Sequence, residues 1–360
     1  MNKSERFHPS NDDFRNPFDR DRDRVIHSEW FRALEYKTQV FINSQGDYFR
    51  TRLTHSLEVS QIARTIAKNL GLNESLAEVI ALSHDLGHTP FGHVGGDTLD
   101  EALKNAGSTN GFEHNFQSFR VLTKLEKRYP DFDGLNLTFA TLEGVLKHSS
   151  PYKKQFLPPW IDEVFWLDYH PSFEAMVVDN ADTIAYTAAD IDDALKYGLI
   201  TLEDILTNQL VAQCAKSVTE GEKLDYSHEL FRYRLITKLL TVMIVDFIEN
   251  SKETVKMRKD EKIVAKEKIT VGFSSEMDRK IKELKKLMYK KVYRHEMIMK
   301  KMFFGKQCVL KIFDALTSEP ALLPKKYLLM AKENNTNRAV ADFISSLSDR
   351  AAEKLYRELY

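Results

Sequence analysis

The sequence predicts a mainly helical, all-α protein, and two observations support this fold class. Apolar residues recur at the spacing of an amphipathic helix in long segments such as residues 53–70 and 178–195. The alternation of apolar and polar residues that is typical of strands is scarce. Only residues 268–273 (KITVGF) are a candidate, short enough for either a strand or an extended connection. No internal repeat or low-complexity tract interrupts the helical pattern.

The pattern divides the 360 residues into three segments. Residues 1–23 carry Pro, Asn, Asp and Arg without hydrophobic periodicity, so we expect a flexible N-terminal arm that is ordered only if it docks on something. Residues 24–200 are expected to form the core that carries the chemistry. Residues 201–360 are expected to form a helical C-terminal region packed on that core, and the length allows one large or two ordinary domains.

The limits of the first two core helices follow from the residues beside them. Gly71 stands where a left-handed residue would end the first helix, and Asn73 is suited to cap a second helix that runs toward His84. The apolar positions of the first helix are Leu53, Leu57, Ile62, Ile66 and Leu70.

Glycine and proline mark the next element, and periodicity marks the later ones. The string GHTPFGHVGG at residues 87–96 predicts an irregular loop directly after the second helix. Further helices are expected around residues 142–146, over residues 178–195 and over residues 281–292, each from its apolar stripe.

Composition sets the broad class of the protein. Hydrophobic residues make up 42% and charged residues 29%, as in globular proteins, and the net charge of -1 gives no overall attraction to nucleic acid or anionic membrane. The two cysteines cannot form a disulfide framework, which fits a reducing compartment. No run of about 18 apolar residues occurs. We therefore expect a cytoplasmic protein without a membrane partner.

Charge is distributed unevenly along the chain. Residues 252–301 contain 17 Lys or Arg against 8 Asp or Glu, whereas the helix around Asp182 and Asp193 is acidic. This basic stretch fits an exposed helix face, and it also fits a surface that binds single-stranded nucleic acid, with interleaved aromatic residues available for stacking on bases. The sequence leaves both interpretations open.

The string HDLGHTPFGH at residues 84–93 carries the strongest chemical signal. An adjacent His–Asp pair ends a helix and two more histidines follow, a density that a helical core does not require. Imidazole and carboxylate together suit Mn, Fe, Co, Ni or Zn, whereas oxygen ligands alone would indicate Mg or Ca. With His55 and Asp182 from two other helices, His84 and Asp85 would hold a divalent metal and leave positions open for water and substrate.

The identity of the fourth ligand is not settled by spacing. Asp182, Tyr186 and Asp190 are separated by four and four residues, so they project along one side of their helix. Either aspartate can then reach the metal, and the same spacing also fits an acidic solvated face.

Eight motifs give the chain a resemblance to the HD-domain deoxynucleoside triphosphate triphosphohydrolases, the bacterial dGTPase-like family. They follow that family's order over nearly the whole chain after the arm. The motifs are KTQVF at 37–41, RLTHSLEV at 52–59, HDLGHTPFGH at 84–93, FEHN at 112–115, TLEGVLKH at 141–148, ADTIAYTAADIDDAL at 181–195, YKKVYRH at 289–295 and ADFISSLSDR at 341–350.

The resemblance implies a metal-dependent hydrolysis of a dNTP to a deoxynucleoside and inorganic triphosphate. It implies Mn²⁺ first among the divalent ions, with Mg, Co, Ni, Fe or Zn as alternatives, and a homo-oligomer, a hexamer or a tetramer. The metal ligands that it implies are His55, His84, Asp85 and Asp182.

The resemblance also implies the residues that bind the nucleotide. Asp190 would contact the sugar 3′-hydroxyl together with Tyr186 and Gln39, and Val40 would leave no room for a 2′-hydroxyl. Two further pairs follow from the implied chemistry. His93 and His114 are candidates for the general acid or for holding the attacking water, and His88 and Arg52 are suited to bind phosphate oxygens.

One position departs from the family pattern. The family commonly has GHxGE where this chain reads GHVGG at residues 92–96, so Gly96 replaces an acid that supports the catalytic histidine, and Asp97 comes one position late. The sequence leaves three alternatives open: Asp97 reaches back through the flexible glycines, turnover is slower, or the protein needs an activator. Two alternative functions also stay open: hydrolysis of another nucleotide, such as a monophosphate, a cyclic nucleotide or an alarmone, and single-strand binding with weak catalysis.

Overall fold

The structure, a computed structural model, confirms the all-α prediction. It describes residues 4–10, 14–39, 50–109, 111–149, 152, 157–258, 261–333 and 335–360, and within these ranges it contains no β-sheet. The described helices are α1 (Pro17–Ile26), α2 (Glu29–Ala33), α3 (Arg52–Leu70), α4 (Glu74–Ser83), α5 (Gly92–Asn105), α6 (His114–Arg120), α7 (Phe139–Leu146), α8 (Pro159–Phe165), α9 (Phe173–Lys196), α10 (Leu202–Leu206), α11 (Gln209–Gly221), α12 (Phe231–Arg258), α13 (Ser275–Met288), α14 (Glu296–Ser318), α15 (Lys325–Glu333), α16 (Thr336–Ser346) and α17 (Asp349–Leu359).

The helix limits predicted from local residues are confirmed. Helix α3 ends at Gly71, whose φ of 67° lies in the left-handed region. The side chain of Asn73 accepts a hydrogen bond from the Leu76 main-chain N–H at 3.0 Å and caps α4. Because such caps depend on neighbouring residues alone, the sequence specifies where α3 ends and α4 begins.

Helices α3, α4 and α9 form the centre of the larger hydrophobic core. Helix α3 packs along both of the others, and α12 covers α3 and α9 from the side. The face of α9 that looks into this core carries small and branched apolar residues, which let the helices approach closely: Ala181, Ile184, Ala185, Ala188 and Ile191. His55 and Asp182 are thereby placed on adjacent helices.

A second core joins the C-terminal helices to α5. Its buried residues come mainly from α5, α14, α15 and α16, with contributions from the loop before α5 and from α17. The segment that follows the His–Asp pair therefore lies between the two halves of the chain.

Part of the N-terminal segment docks on the core. Residues 17–23, inside the expected arm, belong to α1, which packs against α4. The buried Asp21 carboxylate pairs with Arg6 at 2.5 Å and accepts the Thr138 main-chain N–H at 2.8 Å. These contacts supply the docking on which order in the arm was expected to depend.

The predicted loop at residues 87–96 is wrong in its second half. Helix α5 begins at Gly92, so GHVGG forms its first turns. Glycine costs about 1 kcal/mol in a helix, but packing requires it at Gly95, where a Cβ atom would lie 2.0 Å from the Pro90 carbonyl oxygen. Tertiary packing, which buries Leu99 and Leu103 of the same helix, outweighs the low helix propensity of these glycines.

The later segments agree with the helical pattern. Residues 268–273 form no strand and run as an irregular connection between α12 and α13. Helix α13 passes into a π turn at Tyr289–Tyr293 before α14 begins. Within the described ranges, no helix is both long enough and apolar enough to cross a bilayer.

Candidate active site

Three of the four predicted metal ligands meet at one point. His55 on α3, His84 directly after α4 and Asp182 on α9 each offer a ligand atom, and these atoms lie within 4.8 Å of one another. His55 Nε2 lies 2.9 Å from Asp182 Oδ1, and His84 Nε2 lies 4.0 Å from the same oxygen. The consecutive helices α3 and α4 and the distant helix α9 therefore supply one nitrogen- and oxygen-rich cluster.

The protonation of His84 indicates that the cluster suits a cation. Its Nδ1 lies 2.6 Å from the Ala81 carbonyl oxygen, so Nδ1 carries the proton and Nε2 presents a lone pair. The buried Nε2 makes no hydrogen bond with any described residue, although Asp85 Oδ1 lies 3.2 Å away. The Nε2 lone pair of His84 and the Asp85 carboxylate thus face each other with no proton between them, an arrangement that suits a divalent metal. The contact with Ala81 fixes the orientation of the His84 ring for such binding.

Asp85 lies beside the cluster and is held by three neighbouring side chains. Its Oδ1 is 3.2 Å from both His84 Nε2 and His88 Nε2, and its Oδ2 accepts from Arg52 Nη1 at 2.8 Å. Burial opposes ionisation, but His84 and Arg52 hold the pKa of the Asp85 carboxyl well below its usual range. Asp85 is thus an anion near the metal position, and its role as a fourth ligand stays a prediction.

His148 is a neighbour of the cluster that the sequence analysis did not single out. Its Nδ1 lies 2.5 Å from Asp179 Oδ1 and its Nε2 lies 3.7 Å from Asp182 Oδ2. Burial works against protonation, but Asp179 and Asp182 raise the pKa of His148 to about 10. The TLEGVLKH motif ends on this residue, which is the only signal in the sequence that pointed to it.

Three further histidines form a second group next to Asp85. The rings of His88 and His114 are stacked with centroids 4.2 Å apart, and His93 lies 5.3 Å from His88 and 6.1 Å from His114. The structure therefore brings together both predicted catalytic histidines and one predicted phosphate ligand.

These second-group histidines are neutral at neutral pH in the free protein. Burial lowers the pKa of His114 to about 4, and burial together with the Arg52 charge lowers the pKa of His88 and of His93. A neutral imidazole accepts a proton or a hydrogen bond, whereas donation of a proton requires its pKa to rise when an anion binds.

The residues predicted to contact the sugar lie along α9 and its neighbours. Tyr186, Asp190 and Gln39 all line the same cavity. The Asp190 carboxylate accepts a hydrogen bond from the Tyr293 hydroxyl, and burial raises the pKa of Asp190 to about 7. Tyr293 was not among the predicted site residues, although its YKKVYRH motif was noted. Val40 lies outside the described residues.

The cavity has about 730 Å³ of space, within the range of small-molecule sites. Arg52 contributes a buried guanidinium whose Nε and Nη2 have no hydrogen-bond partner among the described residues. Lys285 of α13 also lines the cavity, with its ammonium 4.8 Å from the centre of the Tyr186 ring. Arg294 and Lys301 line the cavity as well, so four cationic side chains face the same space as the candidate metal cluster.

Space for a side chain exists at Gly96. A Cβ atom there would contact Thr89 Oγ1 at 3.7 Å and the Phe112 ring at 3.9 Å, both ordinary distances. The charge of Asp97 acts to raise the pKa of His93, but burial and Arg52 outweigh it. Asp97 thus influences His93 without restoring the basicity that a closer acid would give.

Part of the basic stretch is paired within the chain. Described cations of residues 252–301 form ion pairs that include Arg258 with Glu267, Lys282 with Asp278 and Lys291 with Asp204. Such pairing is typical of an exposed helix face, and the single-strand surface stays a hypothesis.

Comparisons with known proteins give two matching families. The HD domain matches residues 52–187, which include the candidate metal cluster, and the phosphohydrolase-associated domain matches residues 271–358.

Full-length relatives agree with these matches, and each is named a deoxyguanosinetriphosphate triphosphohydrolase-like protein. The relative from Wolinella succinogenes is 57% identical over 100% of both chains. The relative from Geobacter sulfurreducens is 41% identical over 99% of this chain and 91% of its own, and that from Nitrosomonas europaea is 42% identical over 96% and 91%.

Proposed function

Because this chain belongs to the HD-domain family of deoxyguanosinetriphosphate triphosphohydrolase-like proteins, we propose that it hydrolyses deoxynucleoside triphosphates to a deoxynucleoside and inorganic triphosphate. The observation that carries this proposal is the position of the cluster formed by His55, His84 and Asp182. It lies at a cavity that also presents unpaired guanidinium nitrogens of Arg52. Asp85 completes the proposed ligand set.

His55, His84, Asp85 and Asp182 would hold a divalent metal, with Mn²⁺ as our first choice, which would lower the pKa of the attacking water and neutralise charge on the α-phosphate. The mixed imidazole and carboxylate donors suit such an ion.

The cationic residues of the cavity are proposed to hold the triphosphate. Arg52 offers two buried N–H groups that have no described partner, in a planar arrangement that matches phosphate oxygens. Lys285 adds a positive charge from α13, and His88 adds a ring nitrogen. These contacts would place the α-phosphorus over the metal ligands and fix the direction of attack.

His93 and His114 are proposed to manage protons at the scissile bond. Their lowered pKa values make them hydrogen-bond acceptors for water in the free protein. The charge of a bound triphosphate raises the pKa of a nearby imidazole, so one of the pair can then donate a proton to the departing 5′-oxygen.

The other end of the cavity is proposed to recognise the deoxyribose. Asp190 accepts from Tyr293 and has a further oxygen for the sugar 3′-hydroxyl, with Tyr186 and Gln39 beside it. We retain Val40 as the residue that would exclude a 2′-hydroxyl.

A substrate panel tests this function. The purified protein is incubated with Mn²⁺ and each dNTP, each NTP, a monophosphate, a cyclic nucleotide and an alarmone, and the products are separated by ion-exchange chromatography. We expect inorganic triphosphate and deoxynucleoside from at least one dNTP. Release of diphosphate or monophosphate alone, or preference for ribonucleotides, would reject the assignment. The homo-oligomer stays a prediction that sedimentation velocity tests.

A further inference from the structure

The ADFISSLSDR motif near the C-terminus has no part in the function proposed above, yet it contacts the histidine loop. Asp349, which begins α17, is 8% exposed. Its Oδ2 accepts the Thr38 main-chain N–H at 3.2 Å and the Thr38 hydroxyl, and its Oδ1 accepts the Phe91 main-chain N–H at 3.0 Å. One carboxylate therefore joins Thr38, which precedes Gln39, to Phe91, which lies in the loop between His88 and His93.

Phe91 occupies a backbone conformation that needs such support. Its φ of 62° lies in the left-handed region, which is unfavourable for a residue with a side chain. Gly305 of α14 packs against its side chain so closely that a Cβ atom there would lie 2.7 Å from Phe91 Cβ. The C-terminal helices thus hold Phe91 by its amide on one side and by its ring on the other.

Three more contacts join the same C-terminal segment to elements of the site. The buried Lys37 ammonium donates to the His88 carbonyl at 2.6 Å and to the Ser345 carbonyl at 2.7 Å. Asp342 accepts from the Gln117 amide at 3.0 Å and pairs with Arg120, both on the helix that begins at His114.

We propose that residues 342–349 are a positioning segment that fixes His88, His93 and His114 relative to the metal cluster, with Asp349 as its principal positioning residue. This inference rests on the proposed function. In the described part of the chain, no hydrogen bond or ion pair joins the segment to His55, His84 or Asp182. The segment therefore acts on the histidines that handle phosphate and protons, and not on metal binding.

The test compares Asp349→Asn with Asp21→Asn as a matched control. Asp21 is also buried and also accepts both the main-chain N–H and the hydroxyl of one threonine, Thr138, but it has no contact with the histidine loop. In Asp349→Asn an amide NH₂ faces either the Phe91 N–H or the Thr38 N–H, so one hydrogen bond is lost. We expect kcat for the best dNTP to fall about 10- to 100-fold, with Mn²⁺ affinity unchanged, whereas Asp21→Asn keeps its kcat.

Hydrogen–deuterium exchange of the full-length protein gives a readout that does not need activity. Asp349→Asn should speed exchange in the peptide that contains the Phe91 amide and leave the peptide around His55 unchanged. Asp21→Asn should speed exchange near its own partners, Arg6 and Thr138, and leave the Phe91 peptide unchanged. Gly305→Ala, which displaces Phe91 from its other side, is the second variant and should also lower kcat at constant Mn²⁺ affinity.

The possible outcomes separate this inference from the proposed function. Equal losses of kcat in Asp349→Asn and Asp21→Asn, or unchanged exchange at Phe91, would overturn the positioning role. If the wild-type protein releases no triphosphate from any dNTP, the proposed function fails, and the exchange experiment alone then decides whether Asp349 holds the histidine loop.

Discussion

The Nε2 atom of His55 lies 2.9 Å from Oδ1 of Asp182, although 127 positions separate the two residues in the chain. Asp190, on the same helix and two turns further on, instead accepts a hydrogen bond from Tyr293. The two aspartates that spacing left as rivals therefore have different partners, and this difference leads to the first prediction.

Asp182→Asn should lose metal, whereas Asp190→Asn should keep it. Loss of a direct carboxylate ligand should weaken Mn²⁺ binding more than about 100-fold, since loss of even an outer partner costs roughly 10- to 100-fold. Isothermal titration with Mn²⁺ measures this, and dNTP hydrolysis should fall in both variants. Metal loss in Asp190→Asn with full metal binding in Asp182→Asn would reverse the assignment.

Lys285→Met should weaken binding of the triphosphate. Lys285 lines the cavity, and burial lowers the pKa of its ammonium while Asp182 opposes that shift. Loss of one charge-assisted contact of about 1.5–3 kcal/mol should raise KM for dNTPs roughly 10- to 100-fold. Lys286→Met removes an exposed charge at the next position of the same helix and is the control. Equal effects of the two substitutions on KM would count against a phosphate contact for Lys285.

The Asp190 carboxyl should make the metal-free protein less stable as pH rises. Burial raises its pKa from 3.8 to about 7, so between these values the folded state binds a proton that the unfolded state has lost. The free energy of unfolding therefore falls through this window, and Asp190→Asn removes the dependence. Urea unfolding should show that the free energy of unfolding of the variant, relative to that of the wild type, is higher at pH 8 than at pH 5. A difference between the two proteins that does not change with pH would contradict this prediction.

Gly96→Glu should speed turnover. The position has room for a side chain, and a carboxylate one helical turn after His93 would raise the lowered pKa of that imidazole. We expect kcat to rise about tenfold at neutral pH, since general acid–base catalysis contributes 10²- to 10⁴-fold in full. The pH–rate profile of kcat should also shift to higher pH, because the pKa of His93 is raised. Gly96→Gln has similar size without the charge, and an equal gain with that variant would exclude an electrostatic cause.

Much of the fold was accessible from the sequence because its signals are local. The left-handed glycine after α3 and the asparagine cap of α4 act within a few residues, and the apolar stripe of α9 repeats within each turn. The GHVGG segment was predicted wrongly for the same reason. Its glycines are locally typical of a loop, and only the close approach of Gly95 to the Pro90 carbonyl oxygen shows why the helix has a glycine there.

The candidate site was clearest in the sequence where its residues stand close together along the chain. HDLGHTPFGH concentrates four site residues in ten positions, whereas His148, Tyr293 and Asp349 lie in motifs whose chemistry no local pattern reveals. Their partners come from other helices, so their roles depend on distances that spacing along the chain does not contain.

By itself the sequence determined the helical class, the limits of α3 and α4, and the residue types of a metal-dependent site around His84 and Asp85. The tertiary structure decided which side chains meet. The packing of α3 against α9 brings His55 to Asp182, and the return of the C-terminal helices brings Asp349 to the Phe91 amide. Caps and periodicity act over a few residues, whereas these contacts exist only after the cores that join distant helices have formed.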